Sequence, residues 1–257
     1  MAGNAAAATR IEAAETTERT VKPVAIFRFS DTEGPGHFAT FLDANRIPWK
    51  LVKLDEAEAV PPSSEPFAGL AFMGGPMSAN DEYPWTRPVL ELMRDAVRRE
   101  VPVIGHCLGG QMLSRALGGE VKKNKVKEIG WNPVQVVDSP AAREWFGEQL
   151  REFDTFQWHG DTFSIPPGGE RILTGPHCEN QAYVVGDRHL GLQCHVEMTP
   201  AMIESWLGSG KGELEQNLHS PAVQPAERIR GDMPKRLPGL SRTAERLYER
   251  WIANLRR

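Results

Sequence analysis

The chain has 257 residues, with 30 Lys and Arg against 34 Asp and Glu and a formal net charge of −4. Hydrophobic residues at 40% and charged residues at 25% exclude a mostly disordered chain, and mild acidity argues against a non-specific nucleic-acid or membrane-surface binder. No apolar run approaches the roughly 20 residues of a membrane helix, and three cysteines are too few for a disulfide framework. These points favour a reducing cytoplasm.

In chain order, residues 1–22 are rich in Ala, Thr and Glu and read as a disordered N-terminal extension. Val24 to Phe29 reads as a buried strand, His37 to Asn45 as a helix, and Trp49 to Leu54 and Gly69 to Met73 as further strands. A helix is expected after Pro84 and Pro88, a strand over Val101 to Ile104, and a helix straight after Cys107. Strands alternating with helices indicate βαβ units: an α/β domain with a mostly parallel central sheet and helices on both faces. The second half is richer in strands: Ile129 to Val137, Phe153 to Trp158, Arg171 to Thr174, Gln181 to Val185 and Leu190 to His195. Pro200 opens another helix. Gly208 to Pro238, dense in Gly, Pro and charge, reads as a surface connection, and Leu240 to Arg257 as an amphipathic C-terminal helix packed on the domain. One domain over 23–207 with the appendage 208–257 is the simplest division.

The segment Gly105-His106-Cys107-Leu108-Gly109-Gly110-Gln111 carries the chemistry. A buried strand runs into a cysteine and a helix begins with no loop between them, which holds the side chain on a strained, exposed turn. Free N–H groups at the helix start stabilise a thiolate and lower its pKa from about 8.5. A lone cysteine would be a structural thiol; the G-x-C-x-G-x-Q setting makes Cys107 a nucleophile.

Such a thiol needs a base oriented by a third group. Gln193-Cys194-His195-Val196-Glu197 supplies one at a strand end, where a period of two puts His195 and Glu197 on one face. Glu197 then accepts from one imidazole nitrogen and leaves the other for the thiol.

G-x-C-x-G-x-Q followed by H-x-E resembles the class I (triad) glutamine amidotransferases, most closely their free-standing GMP-synthase-like glutaminase domains, from about Val24 to Leu207. The resemblance implies a flavodoxin-like fold and hydrolysis of the glutamine amide through a thioester, releasing ammonia. It implies Cys107 as nucleophile, His195 as base and later acid, and Glu197 as orienting carboxylate. Met73-Gly74-Gly75-Pro76 resembles the family's oxyanion loop, with an N–H from Gly75 or Gly74 as one donor and that of Leu108 as the other. Gln111, one helical turn past Cys107, is implied to bind substrate, as are Trp158, Gly160 and Asp161; His159 is read as structural. Val196, Cys194 and His106 depart from the family pattern without removing a reacting group.

Neither His106-Cys107 nor Cys194-His195 matches a zinc spacing, so no metal is expected. Gly208-Ser209-Gly210-Lys211-Gly212 fails as a phosphate loop, and no cofactor is expected. The residues leave three functions open: a glutaminase feeding ammonia to a separate synthase, a hydrolase of other γ-glutamyl compounds with the same triad, and a non-catalytic binding or regulatory protein. A partner synthase would dock on the rim of the Gly74 to Trp85 loop and the Lys122 to Trp131 segment, whose lysines also read as a solvated basic turn.

Overall fold

The protein is described from a computed structural model covering residues 22–256; the extension expected over 1–22 lies, apart from Lys22, outside the described residues. The sequence folds as one α/β domain. In chain order its elements are β1 (Val24–Arg28), α1 (Gly36–Ala44), β2 (Trp49–Lys53), β3 (Gly69–Phe72), α2 (Thr86–Arg98), β4 (Val103–His106), α3 (Leu108–Ala116), β5 (Val121–Val136) and α4 (Pro140–Phe146). There follow β6 (Glu152–Phe163), β7 (Gly169–Thr174), β8 (Ala182–Val185), β9 (His189–Leu192), α5 (Pro200–Ser209), α6 (Lys211–Gln216), β10 (Ala222–Val223) and α7 (Ala226–Ile252).

All ten strands belong to one mostly parallel sheet. Its order is β10-β5-β7-β8-β9-β4-β3-β1-β2, with β6 paired to β5. The half from β2 to β9 is parallel throughout, whereas β9-β8-β7-β5-β6 runs antiparallel. Strand alternation explains why helices cover both faces. On β1, Val24 and Ile26 join the core under α1, α5 and α7, while Ala25 and Phe27 join the core under α2 and α3. Neither face of a strand patterned this way can be left in water.

The C-terminal part differs from its reading. The supposed connection contains α6 and β10, and α7 starts at Ala226, continuing through Pro234 and Pro238. Each internal proline removes a helix hydrogen bond and costs about 3 kcal/mol in isolation. Packing outweighs that cost: Ile229, Leu240, Ala244, Leu247, Tyr248 and Trp251 are buried, and Trp131 donates its indole N–H to the Ile229 carbonyl at 3.1 Å. A boundary at 207 therefore separates nothing, because β10 pairs with β5 inside the sheet. The basic segment from Lys122 is also not a turn. It is the first part of β5, with an irregular register between Lys123 and Glu128.

Candidate active site

Cys107 lies between β4 and α3 with φ 47 and ψ −104, a conformation that L residues avoid and that costs about 1–3 kcal/mol. Its N–H donates to the Leu192 carbonyl at 2.8 Å and its carbonyl accepts from Gln111 N–H at 2.9 Å, so strand and helix clamp the turn from both sides. The glycines of the motif let α3 approach this closely. A Cβ on Gly105 would overlap the Gly109 backbone, and one on Gly109 would overlap the Phe72 carbonyl. Leu108 opens the helix, so its N–H is one of the unpaired donors of a helix start.

His195 and Glu197 follow β9 instead of belonging to it. The strand ends at Leu192 because the chain changes partner: Gln193 N–H still reaches the Gln181 carbonyl, while His195 N–H turns to the Phe156 carbonyl of β6 at 2.8 Å. The two side chains nevertheless meet, with His195 Nδ1 2.7 Å from Glu197 Oε1 and both residues 1% exposed. This leaves Nε2 for Cys107, to which the ring is hydrogen bonded. Burial opposes a charged ring here, yet the facing Glu197 and Cys107 outweigh it and raise the His195 pKa well above the ordinary histidine value. Burial likewise opposes the Glu197 charge, but His195 and His106 hold that carboxyl below its usual range. Trp206 of α5 stands edge-on to His195 at 4.7 Å between centroids and donates its indole N–H to the Thr32 carbonyl at 2.8 Å.

These groups border a cleft of about 500 Å³, within the range of small-ligand sites. Of the residues expected from sequence, Cys107, Gly75, Gln111, Trp158, Gly160 and Asp161 line it, and Gly74, Leu108, His195 and Glu197 stand behind that lining. Gly74 abuts the imidazole: a Cβ there would lie 2.9 Å from His195 Cε1. Gln111 is 3% exposed, and its amide N–H groups go to Gln193 Oε1 at 3.2 Å and the Asp161 carbonyl at 3.3 Å. Asp161 is held by Ser78 Oγ at 2.8 Å and Lys123 Nζ at 2.7 Å, so it ties the glycine loop to β5 and β6. Burial works against its charge, but Lys123 and Ser78 keep the carboxyl below its usual range. Trp158 donates to Glu213 Oε2 at 2.7 Å, and Lys127 pairs with the same carboxylate. The segment read as a surface connection thus closes one side of the cleft.

Sequence reasoning missed several residues here. Gln193 points its amide at Cys107 Sγ at 3.7 Å; it sits two residues before His195, a signal that motif reading passed over. Glu33, Lys123, Lys127, Trp206 and Glu213 also line the cleft, from loops and edges that carry no motif. For metal, one trio among the described residues brings ligand-type atoms within 4.8 Å of one another: Glu128, His159 and Cys178. Its groups already serve each other. His159 Nε2 meets Glu128 Oε2 at 2.9 Å, His159 Nδ1 donates to the Asp161 carbonyl at 2.9 Å, and the thiol meets Thr162 Oγ1 at 3.2 Å. The trio holds β5 to β6 as a hydrogen-bonded cluster.

Comparison with known proteins agrees with this geometry. The family model described as glutamine amidotransferase class-I matches residues 41–205. The chain belongs to that family. A crystal structure of a glutamine amidotransferase from Methylobacillus flagellatus superposes with a TM-score of 0.89 at 47% identity, covering 93% of this chain and 97% of that one. A glutamine amidotransferase-like protein of Salmonella typhimurium is 29% identical over 65% of this chain and 72% of its own length. One component of the glutamine-hydrolyzing GMP synthase of Sulfolobus acidocaldarius, a separate polypeptide, is 31% identical over 56% of this chain and 77% of its own length. Full-length GMP synthases that the amidotransferase matches are spanned over only 24–26% of their length. No described helix is long and apolar enough to cross a membrane.

Proposed function

We propose that this amidotransferase-family chain is a glutaminase that hydrolyses the glutamine side-chain amide through a thioester on Cys107. The observation that carries the reading is the buried Cys107–His195–Glu197 line at the mouth of α3, with the His195 ring held charged between two acidic partners. A raised imidazole pKa supports a resting pair in which His195 already holds the thiol proton. Cys107 Sγ attacks the amide carbon, and the oxyanion that forms faces the free N–H of Leu108 and the Gly74-Gly75 backbone. One such donor is worth roughly 2.7–4 kcal/mol in other hydrolases. As the C–N bond breaks, His195 Nε2 gives its proton to the departing nitrogen, and ammonia leaves. Water then gives a proton back to His195 as its oxygen displaces the sulfur, yielding glutamate and free Cys107.

Gln111, Trp158, Gly160 and Asp161 would hold the glutamine backbone. The side-chain partners already on Gln111 and Asp161 favour contact through the Gln111 carbonyl oxygen and the β6 backbone. The likeness to one component of a GMP synthase supports a separate ammonia-accepting synthase as partner. The three unpaired cysteines fit the cytoplasm. The cleft volume also admits larger γ-glutamyl compounds, so the test measures ammonia release from glutamine beside amine release from γ-glutamyl peptides, in wild type and Cys107→Ala. Ammonia release that requires Cys107 supports the glutaminase. Release of amine alone supports the γ-glutamyl hydrolase, and no turnover of either supports the non-catalytic reading.

A further inference from the structure

Glu33 lies on the loop between β1 and α1, lines the cleft and has no part in the triad. Its Oε2 atom is sealed from solvent and has no hydrogen-bond partner among the described residues, an arrangement that costs free energy in an otherwise well-bonded interior. Gly74 fixes where that oxygen is. A Cβ built there would lie 2.6 Å from Glu33 Oε2 and 2.9 Å from His195 Cε1, so carboxyl and imidazole converge on one side of the Gly74 backbone. Cε1 joins the two ring nitrogens. With Nδ1 committed to Glu197, Glu33 stands beside the ring edge from which Nε2 serves the departing nitrogen. Gln111, Gly160 and Asp161 line the other wall, where the site reading puts the glutamyl backbone. The leaving group therefore departs toward Glu33.

We propose that Glu33 determines leaving-group specificity: its carboxylate receives ammonia as ammonium and rejects leaving groups that carry their own carboxylate. The inference rests on the glutaminase reading and sharpens it. Ammonia freed by C–N cleavage takes a proton from the Glu33 carboxyl, or from water when Glu33 is already ionised, and the resulting ammonium faces a carboxylate. A γ-glutamyl amino acid would instead bring a second carboxylate into the same space, and like charges repel strongly where water is scarce. The groups facing Glu33 are His195 and Glu197, with Cys107 beyond the ring. Burial, with Glu197 adding and His195 opposing, raises the Glu33 carboxyl to about 7, so it exchanges a proton readily near neutral pH.

The test compares kcat/KM for ammonia release from glutamine with that for glycine release from γ-glutamylglycine, in wild type, Glu33→Gln, Glu33→Asp and Cys107→Ala. Glu33→Gln is expected to lower the glutamine value about 10-fold and to raise that for γ-glutamylglycine, while Glu33→Asp, which keeps the charge, retains the preference for glutamine. The glutamine pH profile of wild type should bend near about 7, and that of Glu33→Gln should not. An unchanged substrate ratio in a folded Glu33→Gln protein overturns the proposal, as does a Glu33→Asp variant that has lost the preference. Hydrolysis persisting in Cys107→Ala sinks the glutaminase reading itself, and this inference with it.

Discussion

The chain carries the trio of cysteine, histidine and glutamate twice within one sheet. Cys107, His195 and Glu197 stand at the C-terminal edge of the parallel half; Cys178, His159 and Glu128 sit between strands of the antiparallel half. Both carboxylates and both thiols are buried, and each histidine has a glutamate within hydrogen-bond distance. What differs is how many hydrogen-bonding demands the rest of the protein has already met. His159 spends both nitrogens, on Glu128 and the Asp161 carbonyl, and burial pushes the Cys178 thiol up to about 11 despite its bond to Thr162. His195 keeps one nitrogen for Cys107, which sits on a strained turn at a helix start and borders the cleft. Residue types do not make a triad; an unspent nitrogen beside an accessible sulfur does.

That contrast is broken most severely at the sulfur. Cys107→Ala is expected to lose at least about 10³-fold in ammonia release, while Cys178→Ala stays within about twofold. Equal losses would erase the distinction. Glu197→Gln keeps a positioned ring but cannot stabilise its charge, so turnover should fall about 10²-fold, less than for His195→Ala; equal and complete loss in both would give Glu197 a direct chemical part. Gly74→Ala presses a methyl toward His195 Cε1 and Glu33 Oε2 and should lower kcat about 10-fold with the thermal midpoint unchanged. The smallest rate effect belongs to the second trio. Glu128→Gln weakens a buried polar cluster worth about 1–3 kcal/mol, which should lower Tm by several degrees and leave kcat within about twofold. A rate loss without a stability loss there would move the second trio into the chemistry.

The two halves of the sheet also differed in how legibly the sequence announced them. In the parallel half, short apolar runs alternate with helical spacing, and Cys107 declares itself through the glycines that let α3 rest on β3 and β4. The antiparallel half is patterned by long-range pairing instead. β5 begins eight residues before the expected Ile129, because Val121 to Lys123 pair with Asp161 to Phe163, a contact that no local propensity encodes. Pro234 and Pro238 read as helix breakers, and only the burial of Tyr248 and Trp251 against α1 and the sheet explains why α7 runs through them. Glu33, Trp206 and Glu213 escaped notice for a related reason. Each reaches the cleft from a segment whose own pattern is ordinary, and only tertiary structure brings them to Cys107.

The most direct test of the central claim is to catch the thioester. The protein is mixed with glutamine, quenched in acid within the first turnovers, digested and mapped by mass. The account predicts a glutamyl adduct on the peptide containing Cys107, absent from Cys107→Ala, with the Cys178 and Cys194 peptides unmodified. An adduct on Cys178, or undiminished ammonia release from Cys107→Ala with no adduct anywhere, would contradict it.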